Sequence, residues 1–173
     1  MDIYPEIELS KEQHNAIEVL RNKSFPEHQV ARSYYKQLPH MRALKYKDDQ
    51  LVGYMGLDYR VVGVGDEIYK VLGVSDFCVD NTFQRQGIGT AMLSQLSEYA
   101  SSKDVDFIIL ISDLNDFYAS NGYLRVNSLS SWLRIHEHKN YGIAVEQVDD
   151  LYVKPISGKT WALGHIDWLG YMY

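Results

Sequence analysis

The stretch from residue 68 to residue 111 does most to restrict the fold. It opens with Ile68–Val79, rich in β-branched and aromatic residues. It passes through Gly87-Ile88-Gly89, then sets Ile88, Met92, Leu93, Leu96, Tyr99 and Ala100 along one helical stripe. Lys103-Asp104 ends that helix, and Val105–Ile111 (VDFIILI) follows as an almost unbroken apolar run. Such a run suits a strand buried on both faces. Strand, helix and strand in this order imply a parallel crossover of right-handed sense. The expectation is an α/β domain with a central mixed sheet and helices on both faces.

The flanking sequence fits that layout. Residues 1–9 read as a first strand, and Ser10 with Gln13 forms a capping box for a helix reaching about Asn22. Pro26-Glu27 opens an expected second helix with Val30, Ala31, Tyr34, Tyr35 and Leu38 on one face, closed by Pro39. Met41–Lys47 and Leu51–Val62 form a hairpin around Asp48-Asp49-Gln50, and Gly63–Asp66 is a further turn. A short helix is expected over Asp116–Ser120, ended by Asn121-Gly122, with two more strands over 123–148. With 173 residues, no repeat and no linker, residues 1–173 read as a single domain. Ile88, Met92, Leu96, Phe107, Ile109 and Ile111 are its expected core.

Charge and cysteine content narrow the function. A net charge of −6 argues against nucleic acid as partner. It suits a cationic small molecule, although solubility alone also accounts for an acidic balance. The single cysteine, Cys78, excludes an intramolecular disulfide and fits a reducing compartment. No leader and no apolar run near the ~20 residues of a membrane helix is readable, so no membrane partner and a cytoplasmic location are expected. His136 and His138 flank Glu137, but no third ligand accompanies them and an exposed hairpin is the favoured reading. The segment Trp161–Tyr173 is aromatic throughout and is expected to dock.

The chemistry concentrates in Val79-Asp80-Asn81-Thr82-Phe83-Gln84-Arg85-Gln86-Gly87-Ile88-Gly89-Thr90. A strand ends, a loop follows, and a helix begins within the glycines. First-turn N–H groups have no partner inside the helix and lie at the positive end of its dipole. Glycine lets an anion approach the backbone, and Arg85 adds charge at the mouth. The spacing matches neither a Walker loop nor G-x-G-x-x-G. A glycine-containing connection that binds nothing remains open on this segment alone.

Gln84-x-x-Gly87-x-Gly89 resembles the Q/R-x-x-G-x-G/A signature of the GNAT superfamily of N-acetyltransferases, and Asp76-Phe77-Cys78-Val79 resembles the end of that family's cofactor-binding strand. Phe117-Tyr118-Ala119-Ser120-Asn121-Gly122-Tyr123 is similar to a second signature in the right order. The resemblance covers about residues 50–126 and implies a GNAT-like (acyl-CoA N-acyltransferase) fold with acetyl-CoA as co-substrate. It implies that Gln84, Arg85, Gln86, Gly87, Ile88, Gly89 and Thr90 hold the pyrophosphate. The strand Phe77-Cys78-Val79 would pair with the pantetheine arm, and the sheet should splay beside it. Tyr118 is implied as the general acid that protonates the departing thiolate, with packing as its other reading. The glutamate that relatives use as base is replaced by Ser75. Asp76 is the remaining base candidate, and a carboxylate there also serves to bind arginine. Asn115 is the nearest match to a cofactor-contacting asparagine. The expected acceptor is a small-molecule amine of cationic type. Protein amines, a non-catalytic acyl-CoA sensor and a homodimeric assembly stay open.

Overall fold

Two aspartates in the left-handed region, Asp48 (φ 50°) and Asp49 (φ 63°), reverse the chain between two strands. Aspartate tolerates that conformation better than bulky residues do, which explains why a two-residue turn forms here. The computed structural model describes residues 1–173. In chain order its elements are β1 (Asp2–Pro5), α1 (Lys11–Ser24), β2 (Met41–Lys47), β3 (Gln50–Val64), β4 (Glu67–Val79), α2 (Ile88–Ser101), β5 (Phe107–Ile111), α3 (Asn115–Ser120), β6 (Leu124–His136), β7 (Lys139–Pro155) and β8 (Ile166–Tyr171). The capping box before α1 is present in both directions: Ser10 Oγ accepts from the Gln13 N–H, and Gln13 Oε1 accepts from the Ser10 N–H.

The chain divides into two compact units. The first comprises Met1–Asp58 and Ser75–Leu96, the second Tyr59–Val74 and Ser97–Tyr173, so β3, β4 and α2 contribute to both.

In the first unit the strand order is β1-β2-β3-β4. The β2–β3 register runs Lys47↔Gln50 and Tyr46↔Leu51, shifts by one residue, and continues from Lys45↔Gly53 to Met41↔Leu57. α1 packs Ile17 and Leu20 against Leu44, Leu51, Tyr54 and Cys78 on one face. α2 covers the other, because a methyl group at Gly53 would lie 2.5 Å from Met92 Sδ. Helices on both faces are therefore present. The expected helix over Pro26–Leu38 is not. Only Pro26–His28 makes a single 3₁₀ turn, and the rest is irregular. Side chains from elsewhere take the backbone groups that a helix would use: Asn22 bonds both the N–H and C=O of Val30, Arg21 Nη1 donates to the His28 C=O, and Arg42 Nη1 donates to the Ser33 C=O.

In the second unit the order is β4-β5-β7-β6-β8, with β8 also pairing β3. β4 and β5 are parallel, as the crossover requires. Val62, Val64, Tyr69, Val71, Phe107, Ile109, Val153 and Trp168 form an apolar core. Of the expected core, Met92, Leu96, Phe107 and Ile109 are buried, whereas Ile88 and Ile111 are half-buried. The aromatic tail docks: Trp168, Tyr171 and Tyr173 surround the Arg60 guanidinium at 5.7, 4.7 and 4.3 Å. Glu137 and His138 adopt φ 46° and 59° and make the β6–β7 turn, so the two histidines do not share a strand face.

Candidate functional site

In the first unit the site is built on the end of β4. Registered pairing of β4 with β5 covers only Val71–Gly73, so Ser75–Val79 extend without a registered partner on that edge. Phe77, Cys78 and Val79 lie on this open stretch. Asp76 adopts φ 50° inside the strand, a left-handed kink that re-aims the backbone just there. Its Oδ2 accepts from Arg21 Nε at 2.9 Å, with side-chain exposures of 18% for Asp76 and 1% for Arg21. The structure thus gives Asp76 an arginine partner, and Arg21, 55 residues away, is a site residue that local sequence reading does not single out. Cys78 is buried, and burial pushes its thiol up to about 12, so it carries no thiolate.

Beyond β4, Asp80 caps a short turn. Its carboxylate accepts from the Thr82 N–H (2.9 Å), the Thr82 hydroxyl (2.7 Å) and Lys23 Nζ (3.1 and 2.9 Å). The bonds from Lys23 and then from Thr82 hold it down at about 2. Gln84 points its amide back, donating to the Val79 C=O (3.1 Å) and to Asn81 Oδ1 (2.9 Å). Gln86 Nε2 donates to the Thr82 C=O at 3.2 Å. These bonds tie the loop to itself.

The loop then turns through two left-handed residues, Arg85 (φ 59°) and Gly87 (φ 79°). For a non-glycine residue this conformation is costly and often marks a working site. Gly87 C=O accepts from the Ala91 N–H, which makes Gly87 the first cap of α2. The N–H groups of Ile88, Gly89 and Thr90 therefore lack partners inside the helix. Nothing lies within 4 Å of the position a Gly87 side chain would take. The arrangement is a helix start with free first-turn N–H groups, a basic residue beside it in sequence and no atom crowding Gly87, which suits a pyrophosphate.

In the second unit the second signature forms α3 and the turn after it. Tyr118 is buried among Phe117, Tyr123 and Tyr152, at ring-centroid distances of 5.1, 5.5 and 5.3 Å. Burial pushes its phenol up to about 12 against the opposing bond with Ser112. It is therefore a protonated phenol at neutral pH, able to donate. Gly122 (φ 81°) permits the turn that returns the Tyr123 N–H to the Tyr118 C=O at 3.1 Å. The Tyr123 hydroxyl is buried with no hydrogen-bond partner. Asn115 opens α3, and its Oδ1 accepts from the Tyr152 hydroxyl at 3.2 Å, so its side chain serves the aromatic cluster. Asp66 and Glu67 sit at the turn opening β4, at the other end of that strand from Asp76, and Asp149 faces Arg125 at 3.6 Å.

Residues 8–131 match the family model described as an acetyltransferase (GNAT) domain. Among solved structures the chain is similar to Eis1 from Mycobacterium abscessus, with 15% identity, a TM-score of 0.61, and 76% of this chain and 34% of that chain covered. It is also similar to an aminoglycoside 6′-N-acetyltransferase complexed with coenzyme A, with 15% identity, a TM-score of 0.60, and coverage of 92% and 99%. A third is the GNAT family N-acetyltransferase YhbS from Escherichia coli in complex with CoA, with 12% identity, a TM-score of 0.61, and coverage of 96% and 88%. The chain thus spans about a third of the length of Eis1 and most of the other two. At these identities the likeness is one of fold. No curated protein matches.

Proposed function

This chain belongs to the GNAT acetyltransferase family, and from that premise we propose that it transfers the acetyl group of acetyl-CoA to a primary amine by direct attack. The observation that carries the reading is the start of α2, with Gly87 left-handed and no atom within 4 Å of where its side chain would sit. In this reading the N–H groups of Gln86–Thr90 and the Arg85 side chain take the pyrophosphate. The open edge of β4 at Phe77–Val79 takes the pantetheine amides as an added strand. The amine nitrogen attacks the thioester carbonyl, forming a C–N bond. The C–S bond then breaks with its electron pair on sulfur, and the Tyr118 phenol protonates the thiolate.

The acceptor in this reading is a small cationic amine drawn by the net charge of −6. The test is thiol release from acetyl-CoA with polyamines, aminoglycosides, amino acids and peptides, each at low and high salt. Thiol release that favours a cationic acceptor and weakens with salt is the expected result. Preference for a neutral or anionic acceptor removes the electrostatic part. Release from none of them, with acetyl-CoA still bound, leaves the chain a non-catalytic acyl-CoA sensor.

A further inference from the structure

Direct attack needs a group to take a proton from the acceptor ammonium, and the carboxylate nearest the open edge of β4 is held by Arg21. Elsewhere in the same unit a second arrangement meets the requirement. His40 immediately precedes β2, and Asp58 lies one step beyond the Met41↔Leu57 pair on β3, so the two stand opposite each other across the hairpin. His40 Nδ1 lies 3.0 Å from Asp58 Oδ1, and the His40 backbone N–H donates to the same oxygen at 3.3 Å. The Asp58 side chain is 4% exposed, whereas that of His40 is 61% exposed. A carboxylate only accepts hydrogen bonds, so it fixes the proton on Nδ1 and leaves Nε2 as the basic atom, on the exposed part of the ring.

Position supports the same role. A methyl group at Gly56 would lie 2.5 Å from Ser75 Oγ and 3.3 Å from Pro39 Cγ. Gly56 precedes Asp58 by two residues on the same strand face, and Pro39 directly precedes His40. Asp58 is therefore two residues along β3 from the position that meets Ser75, where β4 has just lost its registered β5 partner. The neighbouring charged groups are matched to one another: Glu6 receives two bonds from Arg42, and Asp76 is bound by Arg21.

We propose that His40, oriented by Asp58, is the general base: its Nε2 takes one proton from the acceptor ammonium before the nitrogen attacks the thioester. This rests on the acetyl-transfer reading above. The His40 proton passes to solvent. The second proton lost from nitrogen replaces the one that Tyr118 gives to sulfur, so an ammonium and acetyl-CoA yield an amide, free CoA thiol and one proton. Asp58 is a positioning residue in this scheme.

The test is chemical rescue. His40→Ala is expected to lower amine-dependent thiol release by about 10²-fold or more, with acetyl-CoA affinity unchanged, and added imidazole should restore turnover in proportion to its concentration. Asp58→Asn, which presents an amide where the carboxylate sets the tautomer, should lower turnover without responding to imidazole. Normal turnover in His40→Ala, or a loss that imidazole does not relieve, overturns the base assignment while acetyl transfer stands. A wild-type protein that binds acetyl-CoA yet releases no thiol with any amine overturns the parent reading and the base with it.

Discussion

The two units bury different chemistry. The first places Arg21, Ser33, Arg42, Asp58 and Asp80 below the surface, whereas the second buries few polar side chains, Asp106 and Ser130 among them, and fills its interior with Tyr69, Phe107, Ile109, Leu151 and Trp168. The difference follows from the backbone. The second unit is largely strand, and strand ladders satisfy their own N–H and C=O groups. The first contains the irregular segment 25–40, whose backbone is tied down by the side chains of Arg21, Asn22 and Arg42. Directional bonds from buried charges hold such a segment in one geometry, and each fails outright when a partner is removed. Apolar packing absorbs change more gradually.

Removing a buried charge from the first unit and reshaping an apolar side chain in the second should have very different costs. Arg42 is fully buried and bonds Glu6, the Ser33 C=O and the Tyr54 hydroxyl. Arg42→Met should cost about 3–5 kcal/mol in chemical denaturation, because it strands the Glu6 carboxylate. Ile109→Leu in the second unit keeps its volume and should cost less than about 1.5 kcal/mol. Equal costs would erase the distinction between the units.

Tyr118→Phe probes the second unit for chemistry rather than packing. It should lower turnover by about 10²-fold, equivalent to about 2.7 kcal/mol in the barrier, with the dissociation constant for acetyl-CoA unchanged. A variant that turns over normally returns Tyr118 to the aromatic cluster.

Asp80 makes the stability of the first unit depend on pH. Its folded value of about 2 lies below the 3.8 of a free aspartate, so its contribution is present in full above pH 4 and is lost as pH falls through about 2. Against Asp80→Asn, the stability advantage of the wild type should shrink across that window. A constant gap between the two unfolding curves from pH 5 to pH 2 would contradict the Lys23–Asp80 pairing.

The mildest change is Gly87→Ala. Forcing a side chain into φ 79° should cost about 1 kcal/mol of stability, and little more, since the space there is open. A much larger loss in melting temperature would show that neighbours crowd Gly87. A normal melting temperature would show that the loop can relax to another conformation.

Much of this was legible from the sequence wherever structure is local. The α2 stripe, the VDFIILI strand and the Asp48-Asp49 turn announce themselves within a few residues, and the elements form where expected. The Ser10–Gln13 box likewise spans one helical turn. The segment 26–38 is irregular although its apolar spacing is helical, because its backbone partners come from α1 and β2. Those partners lie seven to nine residues along the chain, beyond the three- and four-residue spacing that marks a helical face. Asp76 shows the same limit at the site: its residue type allows a base or an ion-pair partner, and only the approach of Arg21 reveals the second. His40 and Asp58, 18 residues apart, carry no motif at all.

The one-residue shift in the β2–β3 register now acquires a meaning for the design of variants. Had the pairing continued in step from Lys47↔Gln50 and Tyr46↔Leu51, His40 would stand opposite Leu57, and its ring would meet an aliphatic side chain in place of a carboxylate. The extra residue at Val52 acts as a phase corrector, converting a turn fixed at one end of the ribbon into the correct pairing at the other. Deleting Val52 would bring Gly53 into step after Leu51 and leave His40 opposite Asp58, whereas a register that paired Val52 with Lys45 would part them.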